Sequence, residues 1–169
     1  MARLDTAPVA DPPGSYVDDG GPRPTARWGV LGVRADLLDA SEAYAAALLA
    51  NTGLSPRHRS LALLAVTRRS EYEQSIHRAR ARDVGLGDAE FEAVESEDWT
   101  AECLDESDRA VFRFAMMFDA GHGMGDSVFD RLREYLDEAQ IIELCATCAH
   151  AGGLARLAIA LELTADAGA

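Results

Sequence analysis

The chain contains no lysine; all sixteen of its basic residues are arginine. Without an amine nucleophile, Schiff-base chemistry and pyridoxal phosphate enzymes are excluded. No GxxxxGK[ST] and no GxGxxG run is present, so no nucleotide-binding loop is read. Cysteine occurs three times, at 103, 145 and 148, too sparsely for a disulfide scaffold. No second CxxC completes a zinc site, so no metal is expected. No apolar run reads as long enough to span a bilayer, and the start Met-Ala-Arg-Leu-Asp-Thr lacks the apolar centre of a signal peptide. A cytoplasmic protein is expected, with no membrane partner. Cationic charge is scarce as well: 16 basic against 29 acidic residues give −13, which argues against nucleic acid as a partner.

What is present is a helical pattern. A length of 169 residues suits one domain with an adequate core. Residues 1–33 are rich in Pro and Gly and read as an irregular arm, with Trp28 and the Val30-Leu31 pair anchoring its end. Residues 34–169 read as one helical domain. Apolar spacing predicts helices over about 35–50, 56–69, 70–84, 88–94, 105–118, 126–135 and 137–164. Ser55-Pro56, Ser70, Asp88 and Asp105 supply start signals, and Gly53 and Gly85 supply stops. No stretch alternates like a strand, so the fold class is all-α. The last helix is apolar nearly all round and reads as buried on most sides, with Gly152-Gly153 marking a kink or a close approach of backbones.

The chemistry concentrates in Ser70-Glu71-Tyr72-Glu73-Gln74-Ser75-Ile76-His77. Glu73 and His77, four residues apart, share one helix face and form a minimal acid/base pair. The same letters also spell a capping box, Ser70 with Glu73. Four histidines stand at 58, 77, 122 and 150. His58 is a surface residue or a site residue. His122 sits in a Gly-rich loop. His150 is a core histidine or a second site histidine. Cys145 and Cys148 have CxxC spacing but lie well inside a predicted helix, away from the helix start that would favour a thiolate.

With these residues in hand, the run from Leu54-Ser-Pro-Arg-His-Arg-Ser-Leu through Ser70-Glu-Tyr-Glu-Gln-Ser-Ile-His77 resembles the carboxymuconolactone decarboxylase family. Its pattern is Leu-x-x-Arg-Glu-Arg-Glu-Leu, an apolar helix, then Ser-Glu-Tyr-Glu-Trp-x-x-His. Ala81, Gly85, Leu86, Asp88 and Glu90 continue the likeness, as does the run from Ile142-Glu143-Leu144 through His150 to Leu161. The likeness spans about residues 35–163. It implies an alkylhydroperoxidase D-like helical domain, assembled as trimers or hexamers, working on a small molecule without a cofactor. His58 and Ser60 stand where the family usually has two Glu, and Gln74 replaces the Trp. The thiol branch of the superfamily carries its CxxC just before the matching His; here that position is Ser70-Glu-Tyr-Glu73.

The resemblance therefore implies a lyase or isomerase acting on a small cyclic acid or lactone. In that reading His77 is the proton donor or relay, Glu73 orients it and sustains its charge, and Tyr72 hydrogen bonds the carbonyl oxygen of an enolate. Arg59 or Arg69 holds a substrate carboxylate, and His58 and His150 complete the pocket. The alternatives are a thiol peroxidase using Cys145 and Cys148, or a non-catalytic member that kept only the fold.

Overall fold

A computed structural model of the chain describes residues 23–50, 53–121 and 124–164. Among these the structure is all helical, as the patterning requires. The helices are α1 (Thr25–Leu31), α2 (Ala35–Leu49), α3 (Pro56–Thr67), α4 (Glu71–Asp83), α5 (Asp88–Glu95), α6 (Glu106–Ala120), α7 (Asp126–Arg133) and α8 (Glu138–Ala160). A single 3-10 turn, Gly32–Arg34, joins α1 to α2.

Helix α3 is the central element, packed against α4, α6 and α8. Its Leu61, Ala62, Leu64 and Ala65 are wholly buried. Phe112 and Val111 of α6 and Leu144 and Cys148 of α8 complete the main core around it. A smaller cluster forms where Val30 of α1 meets Tyr72 and Ile76 of α4 and Ala158 of α8.

The helix starts follow their side chains. Ser55 Oγ accepts the His58 amide at 3.0 Å, with Pro56 at the first helical position. Asp105 Oδ1 accepts the Asp108 amide at 2.8 Å. Asp137 and Gln140 cap α8 reciprocally, each side chain accepting the other's amide at 2.8 Å. Asp88, expected as the cap of α5, is its first residue, and Gly87 is the cap. Gly85 and Gly121 follow α4 and α6 with φ of 84° and 69°, the left-handed conformation that a side chain would strain.

Two expectations need correction. The end of the presumed irregular arm is helical: residues 25–31 form α1, which buries Trp28 and Val30. The rest of that arm, 1–22, lies outside the described residues. Helix α8 is long and apolar enough, by length and composition, to cross a membrane, contrary to the sequence reading. Its inner face, with Leu144, Cys148, Ala151 and Ala155, is instead packed in the protein. Helix α8 runs through Gly152 and Gly153 as one helix. A Cβ on Gly152 would sit 3.2 Å from the mobile end of Arg156, at Nη1, and at ordinary contact distance, 3.9 Å, from Asp119 Oδ1 and the Val66 side chain.

Candidate active site

Two readings of Glu73 compete in the sequence, and the structure separates them. Ser70 Oγ does accept the Glu73 amide, at 3.3 Å. The Ser70 amide, however, donates to Thr67 O at 2.8 Å and not to the Glu73 carboxylate. Freed from capping, that carboxylate turns inward, with Glu73 only 1% exposed.

It meets Arg27. The Arg27 Nη1 donates to both Glu73 oxygens, at 2.9 and 2.8 Å. Glu42 of α2 lies 4.0 Å from Nη2, and the Arg27 amide donates to Tyr72 Oη at 3.1 Å. Arg27, Glu42 and Glu73 are all buried. Such a pair holds only because each charge has its counterpart; alone, either would be costly in the interior. Sequence reasoning missed Arg27, since it lay in the stretch read as irregular. The available signal was local: Pro24 directly precedes Thr25-Ala-Arg-Trp, a turn-starting proline before residues able to continue as helix.

His77 stands one turn along α4 from Glu73, its Nε2 3.6 Å from Glu73 Oε2, beyond hydrogen-bond length. Burial, with the positive charges of Arg80 and Arg27 and the neighbouring His150, pushes its pKa down to about 3. His150 is lowered too, by burial and then by Arg27. The imidazolium role expected of His77 is therefore corrected: at neutral pH the ring is neutral. Glu73 does not sustain a charge on it, because both carboxylate oxygens already answer Arg27.

This has a consequence for stability. Above pH 6.5 His77 is neutral both folded and unfolded and contributes nothing. Between 6.5 and about 3 the unfolded chain binds a proton that the native one refuses, so stability falls as pH falls, by up to about 1.4 kcal/mol per unit from this group. Urea titrations across that window should show the slope, and His77→Gln should flatten it.

His77, Arg27, Arg59, Arg80, Thr147 and His150 together line a cleft of about 120 Å³, whose apolar wall includes Leu48, Leu49, Leu63 and Leu154. Arg59 is steadied by Leu54 O at 3.1 Å and Glu143 Oε1 at 3.3 Å. Glu143 Oε2 in turn accepts the amides of Gly53 and Leu54. The His150 ring meets Tyr44 edge-on, with centroids 5.0 Å apart. Buried polar atoms of the lining without a hydrogen-bond partner among the described residues include Arg27 Nε, His77 Nδ1 and Thr147 Oγ1. A buried polar group of this kind takes its partner from a water, an ion or a ligand. Converging donors over an apolar wall suit a small anion with an apolar body.

The structure gathers His77, Arg59 and His150 on this cleft, with Glu73 buried behind it against Arg27, and leaves the other candidates elsewhere. Tyr72 does not line the cleft: it packs with Val30 and Ile76, and its hydroxyl is occupied by the Arg27 amide. His58 faces α6, with Nε2 2.9 Å from Ser107 Oγ and 3.7 Å from Asp108 Oδ1. Arg69 is exposed past the end of α3. Cys145 and Cys148 are free thiols outside the cleft, and burial raises the pKa of both, the opposite of what a reactive thiol needs. His122 lies outside the described residues. Besides Arg27, the sequence reading missed Arg80 and Thr147. Among the described residues no group of three His, Cys, Asp or Glu could hold a metal ion.

No protein-family description matches the chain, and no curated protein matches it in sequence. Solved structures do. One is a protein of unknown function from Agrobacterium tumefaciens, provisionally assigned to antioxidant defence as AhpD. Its TM-score is 0.73 at 17% identity, covering 79% of this chain and 93% of that one. A peroxidase-related protein from Ralstonia eutropha JMP134, described as an alkylhydroperoxidase AhpD core, gives 0.73 at 23% over 84% and 77%. The debrominase Bmp8 gives 0.72 at 22% over 85% and 78%. A cysteine-to-alanine variant of that debrominase is known in complex with 2,3,4-tribromopyrrole, and gives 0.70. At these identities the likeness establishes the fold, which is AhpD-like.

Proposed function

We propose that the chain is a cofactor-free enzyme, a lyase or isomerase of carboxymuconolactone decarboxylase type, acting on a small cyclic acid or lactone. One observation carries the reading: a neutral, hydrogen-bond-deficient imidazole faces the same small cleft as three guanidinium groups. Arg59 and Arg80 hold the substrate's anionic group, while Arg27 keeps Glu73 inward beside His77. When carbon dioxide or a proton leaves a carbon next to a carbonyl, the electron pair spreads onto that oxygen, and the cationic lining stabilises it. Neutral His77 then takes a proton from one carbon and gives it back at another, or, after loss of carbon dioxide, passes to carbon a proton drawn from water. The thiol chemistry expected as the alternative finds no support in this geometry, since no sulfur lines the cleft.

Assembly from copies of the chain, expected from the family resemblance, belongs to the same proposal. Helix α2 leaves Leu37, Tyr44 and Leu49 exposed, and Leu49 also lines the cleft. A second copy covering this face would close the cleft from water. A cytoplasmic location is likewise part of the proposal.

The test is a panel of small cyclic carboxylates and lactones incubated in D₂O and followed by NMR. Loss of carbon dioxide, or deuterium appearing next to a carbonyl, is expected for at least one acid. Complete inertness across acids that bind the cleft, as judged by displaced His77 ring signals, would overturn the proposal.

A further inference from the structure

A second hollow lies on the other side of α6, among the connection before that helix, α6 itself and α7. Its volume is about 340 Å³, and Trp99, Arg109, Arg113, Ser127 and Arg131 line it, with Glu106 as the one acidic lining residue. In a chain of net charge −13, three arginines around one hollow are a local reversal.

Their charges are unequally spent. Glu106 is shared between Arg109, at 2.9 Å, and Arg131, which also pairs with Glu134. Arg113 has no carboxylate partner among the described residues. Its guanidinium instead lies over the Trp99 ring, 4.6 Å from the centroid. Trp99 itself is 36% exposed, so one of its faces is covered by a cation while the residue still meets solvent. Arg109 is engaged within the protein, its Nη1 by Glu106 and its Nη2 by Ala101 O at 3.2 Å. Ser127 sits in the first turn of α7, whose cap is Gly125 and whose amides receive no capping side chain. A helix start of that kind adds donors for an anion.

From these we infer that the hollow is a second ligand site, separate from the cleft at His77, and that it takes a small aromatic oxyanion. The ring of the ligand stacks with Trp99 and Arg113. Its phosphate or carboxylate accepts from Arg113 and from the start of α7. Planar guanidinium groups suit such oxyanions better than point charges do.

Tryptophan fluorescence reads the site directly. The protein's two tryptophans are Trp28 and Trp99, and Trp28 is 1% exposed, so a small anionic probe reports on Trp99. Phenyl phosphate or benzoate should quench saturably, and inorganic phosphate should act at least tenfold more weakly. Arg113→Gln should weaken the aromatic probe at least tenfold. Ser127→Asp should do the same by placing a carboxylate in the hollow. Because an acidic residue in the first turn favours a helix, that variant keeps its fold, and unchanged thermal melting checks it. Arg59→Gln, in the other cleft, should leave the quenching as it is. Absence of saturable quenching by both aromatic probes, equal affinity for inorganic phosphate, or full retention in both hollow variants would each overturn the assignment.

Discussion

Arg27→Ala is expected to cost the fold about 3–5 kcal/mol, the largest loss any single substitution in the site should produce. The reason is what it leaves behind. Glu73 is 1% exposed, and both its oxygens accept from Arg27. Removing the cation strands a carboxylate in the interior, and breaking a buried pair from one side costs on this scale. The charge of α1 is thus tied to the middle of the molecule, although the helix itself is only seven residues long. Urea denaturation measures the loss. Arg27→Gln with Glu73→Gln should recover much of it, since two neutral amides of similar size replace the pair. The single variant should also raise the pKa of His77 above its value of about 3, because Arg27 is one of the charges that depress it. Loss of less than about 1 kcal/mol, with no movement of the His77 ring titration by NMR, would show the pair to be ornamental.

His77→Gln is expected to lower turnover at least about 100-fold on any substrate found by the deuterium assay, the usual scale for a proton-transferring side chain. Glutamine keeps a polar group of similar reach but cannot take up a proton. Substrate binding should change little, since Arg59 and Arg80 are untouched, so the loss should appear in kcat and not in KM. A tenfold or smaller change would mean that the proton moves through another group, and His150, on the same cleft and also depressed in proton affinity, would be the first to replace. His58→Gln provides the contrast. His58 stands where the decarboxylase pattern that the sequence resembles has a carboxylate, but its ring is bonded to Ser107 across the α3–α6 contact. Its removal should leave turnover within about twofold.

The difference between His58 and His77 shows what could be read in advance. Both stand on helices with good start signals, and both fall within the run that resembles the decarboxylase pattern. Position along a helix was legible for each. Direction into the interior was not, because it depends on how α3 and α4 rotate against α6 and α8. Tyr72 and Glu73 make the same point one residue apart. Successive helix residues point about 100° apart, so Glu73 turns toward Arg27 while Tyr72 turns into the small cluster with Val30 and Ile76. The CxxC pair was readable as misplaced, since a thiol deep in an apolar helix has nothing to lower its pKa; the structure adds that burial raises it.

By itself the sequence determined most of the helices and several of their caps, the lack of lysine and of a thiol beside His77, and the placing of Glu73 and His77 one turn apart on one helix. Those are local properties, set by spacing of 3.6 residues per turn and by which side chains can satisfy a helix end. The tertiary structure alone decided that Arg27 reaches Glu73 across 46 residues of chain, that Arg59, Arg80 and Thr147 join them, and that His77 is held neutral. Proton affinity in a protein interior is fixed by burial and by neighbouring charges, and those neighbours come from helices that only packing brings together.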